Sequence, residues 1–176
     1  SSTCSVYGNP KTGYVTEKTK TKPINKYGMG KLLIEKQLKK FYKKRGLYSV
    51  SLRYFNVAGA DPDLEIGDKN YNSSKIIPKI FNNILKKKTL MIYGNKYQTY
   101  DGTCIRDYIH VKDIAECHLK ALNYIFKKKT YSYFNVGVGQ GYSILELINA
   151  VERVTKKRIK IHYTKKRKGD PDKIIC

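Results

Sequence analysis

Three residue types that can share a proton-transfer task stand near the start of the chain. Thr3 closes an apolar stretch, and Tyr27 and Lys31 follow four residues apart in a segment with helical periodicity. Side chains at i and i+4 lie on one helix face, so the pattern is that of an ammonium placed to stabilise a phenolate, with Tyr27 the expected general base. The Thr3 hydroxyl would bond the same alcohol oxygen, while hydride leaves for a nicotinamide cofactor. Spacing alone does not single this trio out. With 16 Tyr and 30 Lys in 176 residues, about three Tyr-x-x-x-Lys pairs are expected by chance. Six occur: Tyr7/Lys11, Tyr14/Lys18, Tyr27/Lys31, Tyr71/Lys75, Tyr108/Lys112 and Tyr124/Lys128.

Such a trio needs a strand end held beside the first turns of a helix. Residues 1 to 7 read as the tail of a buried strand that breaks at Gly8-Asn9-Pro10, and residues 11 to 23 read as a loop. A helix follows from Asn25, with Leu32, Leu33, Leu38 and Phe41 on one face, Lys and Glu on the other, and Gly46 as its stop. Residues 48 to 55, YSVSLRYF, form a strand. Strand, helix and strand in this order build a parallel βαβ unit, so the fold class is α/β. Residues 56 to 74 are then a long polar connection suited to binding. Helices are expected over 76–88, 113–126 and 143–155, with strands over 90–93, 105–111, 133–136 and 159–163. A chain that opens inside a central parallel strand, with no Gly-rich first βαβ half before it, implies a fragment of a longer protein.

Composition narrows the partners. The net charge of +22 raises nucleic acid or an acidic membrane surface. The charge is carried almost wholly by Lys, however, with Arg only at 45, 53, 106, 153, 158 and 167. Runs such as 86–88 and 127–129 close helical stretches, where cations complement the carbonyl end. Neither nucleic acid nor a membrane is expected as a partner, and no apolar run reaches the roughly 18 residues of a span. Cys4, Cys104, Cys117 and Cys176 include no CxxC pair, and the three His are scattered, so no metal site is expected and a reducing, cytosolic setting fits.

The words SSTCSVYG, NKYGMGKLLIE, SLRYFNVAGA, YGNKYQTYDGTCIRDYIHVKDIAECH, YFNVGVGQGYS and KRKGDPD, in this order, resemble the UDP-glucose 4-epimerases of the extended short-chain dehydrogenase/reductases. The resemblance covers essentially the whole chain. It implies a Rossmann-type parallel sheet, lacking its N-terminal half here, and a smaller α/β sugar-nucleotide domain. On this reading residues 1–60 belong to the NAD-binding part, and residues 61–176 mainly to the substrate part, with segments returning to the first sheet. It further implies NAD as cofactor, a UDP-sugar as substrate and a homodimer through helices including the one bearing Tyr27. The implied activity interconverts UDP-glucose and UDP-galactose by oxidation at C4, rotation of the ketone and hydride return. Another sugar-nucleotide epimerase and a non-catalytic fragment are the alternatives.

Carried over residue by residue, the resemblance makes Thr3 the hydroxyl partner of the sugar, Tyr27 the base and Lys31 the residue that tunes it and holds the nicotinamide ribose. Tyr54 and Phe55 fall beside the nicotinamide. Cys4, Ser5 and Asn56 fall on the substrate, as do Lys75 and Ile76. Met91, Ile92 and Tyr93 border the uridine, and Arg106, Arg167 and Asp170 clamp the diphosphate and ribose. Sugar-nucleotide dehydratases follow the Thr with Asp-Glu, and the related decarboxylases place Glu where Ser5 stands, so Cys4 and Ser5 speak against both. Two positions depart from the pattern. Gly30 stands where the family has Ser or Thr, and Lys75 where it offers Asn or His. Residues 137–141, GVGQG, follow a strand and precede a helix but lack dinucleotide-loop spacing, and they read as a tight turn.

Overall fold

The computed structural model describes residues 1–63, 65–68 and 73–176. Tyr71 of the Tyr71/Lys75 pair and part of the expected 56–74 connection lie outside the described residues. The first sheet is parallel, in the order β1 (Ser2–Thr3), β2 (Ser49–Tyr54), β6 (Tyr131–Val136). Helix α1 (Lys26–Arg45) packs on β1, β2 and β6, while α3 (Val111–Lys128) packs on β2 and β6. A second sheet is organised by β5 (Ile105–His110), which pairs with β3 (Asn56–Ala58), antiparallel with β7 (Gly141–Ser143), and with β9 (Lys173–Ile174). The strands β4 (Leu90–Tyr93) and β8 (Ile161–Thr164) form a parallel pair, and helices α2 (Ile76–Leu85) and α4 (Ile144–Thr155) contact each other. Ile80, Leu90, Ile92 and Ile148 lie in the core between β4 and these helices.

Several elements differ from the sequence expectation. The opening strand ends at Thr3, because the Thr3 hydroxyl accepts a hydrogen bond from the Ser5 amide (3.2 Å) and caps a 3₁₀ turn over Cys4–Tyr7. Position 56 begins a strand rather than a loop, since Asn56 to Ala58 pair with Tyr108 to His110. The expected two faces of α1 are partly exchanged. Glu35 is buried at 3% exposure, while Leu33 is 58% and Phe41 41% exposed. A carboxylate can be buried there because Arg53 supplies two parallel bonds, at 2.9 and 2.6 Å. The helix ends follow the sequence reading: the Asn25 side chain accepts from the Gly28 amide, and Gly46 takes the left-handed conformation (φ 67°) that halts the helix.

Two glycines in the first turns of α1 have opposite surroundings. A methyl group on Gly28 would lie 2.5 Å from the Ser5 carbonyl oxygen, so the bare backbone is what lets α1 approach the turn after Thr3. A methyl group on Gly30 would meet nothing within 4 Å. Gly30→Ala is therefore expected to stabilise the protein by about 1 kcal/mol through helix propensity, and Gly28→Ala to destabilise it by about 1–3 kcal/mol through overpacking. Equilibrium denaturation of the two variants checks both signs.

Candidate active site

The carboxyl ends of β1 and β2 lie side by side, with Thr3 paired to Tyr54 in the ladder. Ligands of open α/β sheets bind just beyond such strand ends. Here the ends open on a cleft of about 850 Å³. Thr3, Cys4, Ser5 and Tyr27 form part of its wall, and Tyr54, Phe55 and Asn56, from the end of β2 and the start of β3, continue it. The α2 residues Ile76, Ile77, Phe81 and Leu85 make much of the remainder apolar, beside Lys75 at the helix start.

Tyr27 and Lys31 share a face of α1. The Lys31 Nζ stands 5.9 Å from the Tyr27 ring centre and donates to the Ser1 carbonyl oxygen at 3.0 Å. Lys31 itself does not line the cleft. Beside Thr3, the Cys4 thiol is pushed up to about 12, chiefly by burial, which keeps it protonated and non-nucleophilic at neutral pH. The Tyr54 hydroxyl lies 2.7 Å from His118 Nε2, and His118 Nδ1 lies 2.8 Å from the Ile114 carbonyl. The carbonyl takes an Nδ1–H, and in the neutral ring this leaves Nε2 to accept from the Tyr54 hydroxyl.

A second compartment of about 180 Å³ continues from the first, and Asn56, Lys75, Ile76 and Tyr108 line both. Met91, Ile92 and Tyr93 border it from β4, with Arg106 from β5 and Arg167 and Asp170 from the segment before β9. Arg106 is buried and donates to Asp170 (2.5 Å) and to the carbonyls of Ile105 and Pro171 (2.8 and 2.7 Å). Its partner is thus Asp170 rather than the adjacent Asp107. The Arg167 guanidinium lies 3.9 Å from the Tyr93 ring centre, and Lys79 Nζ lies 5.2 Å from it. The neighbouring Arg167 guanidinium and the Lys79 charge hold the Tyr93 hydroxyl below its ordinary range. With Arg106 matched by Asp170, the cations of Lys79 and Arg167 leave this compartment with a positive excess, which suits an anion.

The structure brings to this double cleft every site residue expected from the sequence except Lys31, which stands behind Tyr27. It adds Tyr108, whose buried hydroxyl has no hydrogen-bond partner among the described residues and whose pKa is pushed up chiefly by burial. Strand alternation carries the signal for it: Tyr108 lies two residues beyond Arg106 on the same face of β5. Lys79, one helical turn after Lys75, was legible in the same way. Gly28 left no such signal, because its role is a tertiary approach. The 137–141 turn is closed from within, since the amides of Val138 and Gly139 donate to the Asp107 carboxylate at 2.9 and 2.8 Å. Those amides are already satisfied, so the turn is no cradle for a pyrophosphate.

A sequence profile described as "NAD dependent epimerase/dehydratase family" matches residues 1–137. The chain belongs to that family. Among the relatives of this NAD dependent epimerase/dehydratase chain, UDP-glucose 4-epimerase of Lacticaseibacillus casei is 42% identical over 177 residues, covering 100% of this chain and 54% of the relative. The UDP-glucose 4-epimerase of Rhizobium meliloti (strain 1021) is 39% identical with the same coverages. The solved UDP-glucose 4-epimerase of Bifidobacterium longum in complex with NAD+ and UDP is 35% identical. It superposes with a TM-score of 0.93 over 100% of this chain and 53% of its own. The chain thus spans about half the length of the curated relatives it matches. The α/β fold with its parallel first sheet is that of these Rossmann-type epimerases. Among the described residues no helix is long and apolar enough to cross a membrane.

Proposed function

We propose that this chain supplies the base-bearing and sugar-nucleotide-binding part of an NAD-dependent UDP-glucose 4-epimerase. The observation that carries the reading is one continuous cleft with a Thr3–Tyr27 end for an alcohol and a Lys79–Arg167 end for an anion. A hexose joined to a nucleoside diphosphate has those two requirements at its two ends. Residues 1–60 then belong to the NAD-binding part, and the later chain mainly to the sugar-nucleotide part, with β6 returning to the first sheet.

The residues present fit the nicotinamide end of NAD. Tyr54 and Phe55 offer an aromatic wall at the strand ends, in the same cleft as Tyr27. Bound there, NAD would supply the acceptor and donor of hydride at the sugar C4. The protein's own share is proton transfer and restraint. Thr3 bonds the C4 oxygen and Tyr27 takes its proton, with Lys31 stabilising the phenolate from the same helix face. After the ketone has turned over, Tyr27 returns the proton to the oxygen on the other epimer. The cations around Tyr93 hold the diphosphate throughout, so the hexose end rotates while its tether stays bound.

The apolar side chains left exposed on α1, among them Met29 and Leu33, favour a homodimer packed through that helix. All four cysteines are free, which fits a cytosolic enzyme.

Incubating the full-length protein with NAD and UDP-galactose tests the proposal: UDP-glucose should form, and its absence under conditions where the protein is folded rejects it. Arg167→Ala should weaken UDP binding about tenfold or more, the loss of a hydrogen bond to a charged group. Titration calorimetry with UDP measures this, and an unchanged Kd would remove Arg167 from the anion site.

A further inference from the structure

Beneath the cleft, outside the groups assigned to chemistry, lies a buried charged network. Glu35 and Arg53 are each 3% exposed, and their closest charged atoms are 2.6 Å apart. Arg53 Nε and Nη2 donate to the two oxygens of Glu35, at 2.9 and 2.6 Å, and Nη1 donates to the Tyr7 hydroxyl at 2.8 Å. Its guanidinium lies 4.1 Å from the Tyr133 ring centre, so β6 covers one flank. The Ser2 hydroxyl also donates to Glu35, at 2.5 Å. Tyr7 passes the chain of bonds to the Asn135 side-chain oxygen, at 2.6 Å.

The position of this network is what gives it meaning. Glu35 lies one helical turn past Lys31 and two past Tyr27, on the same side of α1. Its three donors come from the strand residues immediately before the two that line the cleft: Ser2 precedes Thr3, and Arg53 precedes Tyr54, with Ser2 and Arg53 paired in the ladder. A single carboxylate therefore ties the helix that carries the base to both strands that carry the cleft wall. Bulk stability is a poor reason for such a pair, because apolar side chains of similar volume often stabilise a core as well or better. A two-pronged bond to a planar guanidinium differs from apolar packing in fixing direction and register.

We propose that the Glu35–Arg53 pair, joined by Ser2, is the positioning element of the Tyr27 centre, holding α1 in register against β1 and β2. This inference rests on the reading of Tyr27 as base. It makes Glu35, Arg53 and Ser2 positioning residues that act through Tyr27 and Thr3 without touching substrate. The network fixes the distance between phenol and hydroxyl, leaving the anion compartment untouched, so its loss should appear in kcat and not in KM.

The experiment compares three variants of the full-length protein, assayed with NAD and UDP-galactose and checked by thermal melting. Tyr27→Phe comes first, since turnover that survives it rejects the base reading itself and not the positioning role. With turnover dependent on Tyr27, the double variant Glu35→Leu/Arg53→Met is expected to melt near the parent and to lose about tenfold to a hundredfold in kcat at nearly constant KM. A folded double variant with kcat within about threefold of the parent, or with its loss carried by KM, overturns the proposal. Should the double variant fail to fold, Ser2→Ala decides. It leaves the ion pair in place and removes only the tether to β1, and a fall in kcat of about threefold or more at constant KM upholds the inference, whereas a smaller change overturns it.

Discussion

Tyr27→Phe is expected to lower the interconversion of UDP-galactose and UDP-glucose by about a thousandfold in kcat, the scale of a lost general acid–base group. The ring stays in place, so the cleft wall keeps its shape and only the proton carrier is removed. Tyr27 is 59% exposed, so removing its hydroxyl disturbs the packed core little. KM for the UDP-sugar should therefore change little, because the proposed function places the diphosphate in the other compartment, lined by Arg167 and Lys79. Steady-state kinetics on the full-length protein with NAD present measures both constants. A variant that keeps more than about a tenth of the parental kcat would assign the proton to another group. Thr3→Val is a useful companion, since it removes the neighbouring hydroxyl at nearly constant volume.

Asp107→Ala should cost the largest loss of stability of any single change considered. Its carboxylate is fully buried and accepts from the amides of Val138, Gly139 and Cys176, at 2.9, 2.8 and 3.2 Å. Alanine would leave three backbone donors without a partner, at about 1–3 kcal/mol each, so a loss of about 3 kcal/mol or more is expected. Asp107→Asn keeps one accepting oxygen and should fall between the two. Urea denaturation gives the comparison, and a loss below about 1 kcal/mol for the alanine variant would contradict the account. The change also bears on the cleft, because Gly137 in the same turn packs closely on Phe55.

Long elements with local punctuation were legible in the sequence. Helix α1 declares itself through Asn25 and Gly46, and α4 through Ser143 and Glu146, whose side chains and backbone amides bond reciprocally. Strand β2 declares itself through its β-branched and aromatic residues. The strands β3, β7 and β9 were not legible. Each has two or three residues, too few for periodicity, and each exists because β5 offers it an edge. The burial of Glu35 was hidden for a related reason. Its partner lies 18 residues away on another element, so a local reading assigns the carboxylate to solvent. Most of the candidate cleft residues, by contrast, were named through the family resemblance, and the structure places Thr3, Tyr27, Tyr54 and Lys75 among them at strand ends and helix starts. Tyr108 was overlooked although its alternation with Arg106 was available.

The partition between the two compartments has a consequence for how substrate range can change. Asn56, Lys75, Ile76 and Tyr108 serve as wall on both sides, so, under the proposed function, a replacement there that suits a bulkier sugar also disturbs the grip on the diphosphate joined to it. Phe81 and Leu85 border the larger chamber and not the smaller, so a change of side-chain volume there reshapes one end of the cleft and leaves the anion end as it is.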